Sequence, residues 1–126
     1  MNGELVKQFN RPTKRYVQIL DIAQDAELIR KYCYCHSQEA VWPEIIEQQR
    51  EVGILEMEIY RHENHLVMIV EAEADFDWET GMNRLAAIPR QAEWEAHVAA
   101  FQGCSPDARS DEKWQPCERI FYHYGQ

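Results

Sequence analysis

Tyr32-Cys33-Tyr34-Cys35-His36, then Trp42-Pro43-Glu44, then Gly53 followed by Leu55-Glu56-Met57-Glu58-Ile59-Tyr60: residues 32–60 (YCYCHSQEAVWPEIIEQQREVGILEMEIY) change their hydrophobic period from helix to strand, and that change decides the fold. Tyr32 and His36 stand at i and i+4, one above the other on a helix face. Ser37 to Ala40 breaks that helix. Pro43 then sits where a first helical turn tolerates it, and Glu44 to Val52 continues with Ile45, Ile46 and Gln49 until Gly53 ends the run. From Ile54 to Arg61 the pattern alternates. Leu55, Met57 and Ile59 fall on one face, expected to meet the helices, and Ile54, Glu56, Glu58 and Tyr60 on the other. A proton-transfer residue, aromatic walls and carboxylates thus arrive within one helix-to-strand unit, which is how a small fold assembles a polar pocket.

Upstream, Arg15 to Leu20 carries Tyr16, Val17, Ile19 and Leu20, a β-branched and aromatic run that reads as the first strand. Asp25 is positioned to cap the helix that holds Leu28, Tyr32 and Cys35. Downstream, His62 to Asn64 reads as a hairpin connection, and Leu66 to Ala72 as a central strand buried on both faces. Asp75 and Asp77 offer caps for a helix with Trp78, Met82 and Leu85 on its stripe. Pro89 punctuates, Gln91 to Gln102 is helical with Trp94, Val98 and Phe101 in line, and Gly103 closes it. Cys117 to Tyr124 reads as a last strand. The order β-α-β-β-α-β predicts an α+β fold of ferredoxin-like type, with residues 1–126 as one domain and 1–13 as an N-terminal arm. Such a sheet has helices on one face only. Tyr16, Ile54, Tyr60 and the run Leu66 to Val70 therefore suggest a homodimer that covers the other face.

A chain of 126 residues fits one core, and 45% apolar residues with four Trp and six Tyr exclude a disordered chain. The net charge of −9 disfavours a nucleic-acid surface, which needs a basic face to displace counterions. Met1 to Arg15 has no apolar run, so neither a signal peptide nor a membrane span is expected, and the protein is expected to be cytoplasmic. Cys33 and Cys35 point apart on a helix, so the four cysteines, with Cys104 and Cys117, read as free buried thiols and not as a metal site.

Tyr32 and His36 both exchange protons, His36 near neutrality and Tyr32 as a natural donor; the alternative is a core tyrosine beside a helix-capping histidine. Trp78 and Trp94 fit core stripes. Trp42, beside the break, and Trp114, in a polar stretch, are better placed to stack on a sugar, whose C–H faces suit an aromatic body while its hydroxyls stay free for polar partners. Glu56 and Glu58 read either as edge-strand solvation or as acceptors for hydroxyls. His62, His65, His97 and His123 have no metal-ligand spacing, and there is no Gly-rich phosphate loop, Gly-x-Ser-x-Gly elbow or Cys-His nucleophile pattern.

Tyr32…His36…Trp42-Pro43-Glu44, Gly53, Met57-Glu58-Ile59-Tyr60-Arg61, Met68-Ile69-Val70-Glu71, Glu93-Trp94-Glu95, Phe101-Gln102, Glu112-Lys113-Trp114 and Glu118-Arg119-Ile120-Phe121 together resemble the L-rhamnose mutarotase family, most closely its L-fucose branch, over residues 15 to 123. The resemblance implies a dimeric α/β-barrel of two ferredoxin-like subunits and a cofactor-free enzyme that interconverts the anomers of a 6-deoxy-L-hexose. It implies His36 and Tyr32 as the catalytic pair and Trp94 as a wall of the monosaccharide site; Trp42 and Trp114, from their own positions, are expected to enclose the sugar with it. Two departures stand out. His36 precedes Trp42 by six residues where the rhamnose enzymes have four, so His36 requires a longer local turn and a gapless match would place Gln38 there. Glu93-Trp94 replaces two adjacent tryptophans, and Met57 a tyrosine, which points toward fucose, whose axial 4-hydroxyl suits an added carboxylate such as Glu93. The rivals are L-rhamnose as substrate, a non-catalytic sugar-binding module on the same barrel, and a cofactor-free monooxygenase. The last fits poorly with so polar a residue set.

Overall fold

The first strand, β1 (Thr13–Asp21), hands over to helix α1 (Ala26–Cys35) through Asp25, whose Oδ1 accepts the Leu28 N–H at 3.0 Å as an N-cap. The computed structural model describes residues 1–105 and 107–125. Helix α2 (Pro43–Glu51) starts on Pro43 and stops before Gly53, whose φ of +107° lies in the region that favours glycine. β2 (Ile54–His62) and β3 (His65–Glu73) form a hairpin, with Glu63 at φ 54° in the turn. Asp77, rather than Asp75, caps α3 (Trp78–Ala86) by accepting the Thr80 N–H at 2.9 Å. α4 (Pro89–Gln102) begins two residues earlier than its stripe suggests and ends on Gly103 at φ 76°. A short helix, α5 (Ser110–Lys113), and a short strand, β4 (Gln115–Pro116), complete the described elements.

The four strands make one antiparallel sheet in the order β2-β3-β1-β4. Helices α1 and α2 pack on α4, α2 also on β2, and α3 on α4. One face of β3 supplies the core: Leu66, Met68, Val70 and Ala72 are buried under Tyr32, Met82, Leu85 and Trp114. The expectation that β3 is buried on both faces is corrected, since His65 is exposed and Val67, Ile69, Glu71 and Glu73 are only half-buried. This is a one-sided sheet, and its central strand therefore alternates in burial.

The facing of β2 is also corrected at its start. Ile54 pairs with Ala72 and Glu56 with Glu71, so a bulge takes up one residue between them. Ile54 consequently shares the core side with Met57 and Ile59, and is not on the open face where unbroken alternation puts it. The open face carries Val17, Ile19, Tyr60, Val67 and Ile69 among its apolar residues, Ile19 and Tyr60 exposed.

The last strand is much shorter than Cys117 to Tyr124. Only Gln115 and Pro116 pair with β1, followed by one bond from the Cys117 N–H to the Val17 carbonyl at 2.8 Å. Pro116 has no N–H to contribute to a ladder, and residues 118–124 are exposed, Ile120 at 88% and Phe121 at 67%. Their β-favouring side chains find no surface to pack on within one chain. Of the cysteines only Cys35 is buried; Cys33 and Cys117 are exposed, Cys33 because i and i+2 on α1 diverge. The arm 1–12 has no regular structure and is tied down where Arg11 Nε meets Glu73 Oε2 at 3.0 Å. Among the described residues no helix is long and apolar enough to cross a membrane.

Candidate active site

The last turn of α1 and the length of α4 enclose, with the core face of β2 and β3, a cavity of about 370 Å³. Tyr32, His36, Trp94, Glu95, Gln102 and Trp114 supply its functional wall, and Met57, Ile59 and Met68 its apolar floor. A helix wall over a one-sided sheet is a natural place for such a cavity, because side chains one turn apart on α1 and α4 converge there.

His36 is the C-cap residue of α1, where carbonyls lack helical partners. Its Nδ1 lies 2.9 Å from the Tyr32 carbonyl oxygen. A carbonyl can only accept, so Nδ1 carries the ring proton and Nε2 holds the lone pair. Burial pushes the His36 pKa below the ordinary 6.5, against the opposing pull of the Tyr32 carbonyl bond, and nearby His97 lowers it further. The ring is therefore a neutral base at neutral pH.

Tyr32 is buried, its ring 4.5 Å from that of His36. Burial raises its pKa well above the ordinary 10, with Gln102 pulling the other way. It stays a phenol, with a proton to donate. Gln102 is oriented in turn by Lys113, whose Nζ donates to Gln102 Oε1 at 2.8 Å. An ammonium only donates, so the Gln102 amide oxygen faces Lys113. Lys113 Nζ also meets Glu95 Oε2 at 2.6 Å; the Lys113 side chain is 2% exposed and that of Glu95 24%.

The expected site residues thus separate. Tyr32, His36, Trp94 and Trp114 line one cavity, the buried Trp114 delivered by α5. Gln38 lines it as well, two residues past His36 in a turn closed by bonds from the Ala40 and Val41 N–H groups to the Ser37 carbonyl. Trp42 stands behind Trp94, edge-on at 5.1 Å, stacked on His97 at 5.2 Å and covered by the Arg90 guanidinium at 3.8 Å. It buttresses the wall without lining the cavity. Glu93 is turned away, bonded to Arg90 at 2.8 Å with Glu44 on the same guanidinium at 2.6 Å. It borders a different, neighbouring cavity of about 420 Å³ between α3, α4 and residues 107–110, which has no histidine or tyrosine in its lining; Glu95 stands between the two cavities and lines both. Glu58 spends its carboxylate on the exposed Tyr60 hydroxyl at 2.6 Å. No cluster of three or more His, Cys, Asp or Glu placed to hold a metal occurs among the described residues.

Sequence reasoning passed over Glu95, Gln102 and Lys113. The signal was present for two of them: Glu95 and Gln102 are seven residues apart, two turns along the α4 face beside Trp94 and Val98, so polar groups run down a buried stripe. Lys113 falls between Gly103 and Cys117, where no hydrophobic period marks an element.

Comparison with known proteins finds similar chains over most of this length. The L-rhamnose mutarotase family profile matches residues 15–123. An L-fucose mutarotase of Xanthomonas campestris pv. campestris is 37% identical over 108 residues, 86% of each chain. The crystal structure of an L-rhamnose mutarotase from Formosa agariphila superposes with a TM-score of 0.65 at 20% identity, covering 86% of this chain and 97% of that one; at that identity the likeness concerns the fold.

Proposed function

The chain belongs to the L-rhamnose mutarotase family, and from that premise we propose that it is an isomerase that interconverts the α and β anomers of a 6-deoxy-L-hexose, L-fucose before L-rhamnose. The preference for fucose rests on the 37% identical relative. The reaction changes no oxidation state and transfers no group to a second molecule, so proton donors and acceptors suffice for it.

The observation that carries the reading is the His36–Tyr32 pair: a neutral imidazole with a free Nε2 beside a protonated phenol, both in the wall of an aromatic-lined cavity. His36 Nε2 takes the proton from the anomeric hydroxyl while the Tyr32 phenol passes its own proton to the ring oxygen, and the bond from C1 to the ring oxygen breaks to leave an open aldehyde. Rotation about C1–C2 presents the other carbonyl face, and reclosure reverses both transfers. The phenol of Tyr32 hydrogen-bonds the ring oxygen as charge develops on it. Trp94 and Trp114 pack against the sugar's C–H faces, and Trp42 holds Trp94 in place. General acid–base catalysis of this kind contributes about 10²–10⁴-fold.

Around that site the chain forms one domain, a ferredoxin-like subunit in which the strand order β2-β3-β1-β4 and the one-sided helices support that assignment. Two copies pair through their open sheet faces as a dimeric α/β-barrel. The half-buried Val17, Val67 and Ile69, with exposed Ile19, Tyr60 and the tail at Ile120 and Phe121, support a second copy as the cover. Membership of the family supports a cytoplasmic enzyme.

The test compares anomer exchange by wild-type protein and by His36→Ala. The variant is expected to keep its far-ultraviolet circular dichroism and lose the acceleration; full retained activity would refute the role of His36.

A further inference from the structure

We propose that Glu95, braced by the buried ammonium of Lys113, is the carboxylate that binds the sugar's hydroxyls remote from C1 and so sets which 6-deoxy-hexose is accepted; for the sugar class this rests on the mutarotase reading above. A lysine head group removed from water is costly unless paired, and Lys113, 2% exposed, has Glu95 and Gln102 as its partners. Such a pair is a poor device for stability alone, since a well-packed apolar pair serves as well or better. Its placement argues for use. Glu95 follows Trp94 on α4, lines the same cavity as His36 and Tyr32, and keeps a quarter of its side chain accessible.

An ionised carboxylate is acceptor-only and a hydroxylated sugar brings donors. With Oε2 on Lys113, Oε1 remains for a sugar hydroxyl. L-fucose carries its cis hydroxyl pair at C3 and C4, and L-rhamnose at C2 and C3. With C1 held at His36, a carboxylate that cannot swing selects between those two patterns. Lys113 supplies that rigidity, and the same ammonium holds Gln102, which lines the same cavity. One cation therefore fixes two polar groups of the cavity wall, Glu95 and Gln102. Glu93, engaged by Arg90 outside this cavity, has no such position.

The experiment measures Kd by tryptophan fluorescence, and kcat and KM by anomer exchange, for L-fucose and L-rhamnose with wild type, Glu95→Gln and Glu93→Gln. The glutamine in Glu95→Gln still accepts from Lys113 through its amide oxygen, so the fold has a partner for the buried ammonium. We expect its Kd and KM for L-fucose to rise about tenfold or more, the scale of one charge-assisted hydrogen bond, with a smaller change in kcat and a fucose-to-rhamnose ratio falling toward one. Glu93→Gln should match wild type. Should Glu95→Gln fail to fold, Glu95→Asp keeps the ion pair but withdraws the carboxylate, and the same loss of selectivity is expected. Unchanged Kd and unchanged selectivity in a folded Glu95 variant would overturn the proposal. Wild-type protein that binds L-fucose without speeding its anomer exchange contradicts the mutarotase reading alone, and the Kd of Glu95→Gln still decides the role of Glu95. Wild-type protein that neither binds nor exchanges either sugar overturns both.

Discussion

The ring nitrogen of His36 that bonds the Tyr32 carbonyl decides which nitrogen is left for chemistry, and burial decides its charge. Because neutral His36 is the reactive form, activity is full above its pKa and falls as pH drops through it. That pKa is lowered, so the acid limb of kcat/KM should lie below the ordinary histidine value of 6.5. A limb at or above that value would contradict the assignment. Stability follows the same sign: the unfolded chain binds the proton more readily, so the contribution of His36 is present above 6.5 and lost as pH falls through the folded pKa. Tyr32→Phe removes the phenol donor and keeps the ring, so loss of rate is expected with a stability change of about 1 kcal/mol or less, read by urea unfolding. The pair itself was legible from its i, i+4 spacing. Glu93 and Glu95 were not separable that way, because each stands about 100° to one side of Trp94 on the helix and only the packing of α4 says which one faces inward.

At the scale of elements, Phe76 fills the space between Gly53 and Gly81. A Cβ on Gly81 would overlap the far edge of the Phe76 ring, and that ring is wedged against Tyr16 and Trp78. Gly81→Ala gains helix propensity but overpacks this junction, so a net loss of about 1–3 kcal/mol is expected, visible as a lower Tm with activity retained in the folded fraction. A Tm at or above wild type would show that Phe76 has room to move. Caps, turns and stripes made β1, α1, α2, the hairpin, α3 and α4 readable, since each is a local signal. The bulge after Ile54 was not, because it shows only in the pairing with Ala72 and Glu71, and it moves Ile54 from the open face into the core. Likewise Ile120, Phe121 and Tyr122 have strand propensity, but a strand also needs a neighbour.

For the whole molecule, the proposed homodimer gives the open sheet face and the exposed tail a common explanation. Sedimentation should give twice the 15.0 kDa chain mass, and Val67→Glu, a charge on the half-buried open face, should give a folded monomer. A wild-type monomer at micromolar concentration would remove the dimer and leave the site within one chain as described. The central claim is that this cavity exchanges sugar anomers, and saturation-transfer NMR at C1 of L-fucose and L-rhamnose, with and without protein, tests it most directly. Transfer between anomers that is faster with protein, for L-fucose above L-rhamnose, is the expected result; transfer unchanged for both sugars in folded protein would contradict it.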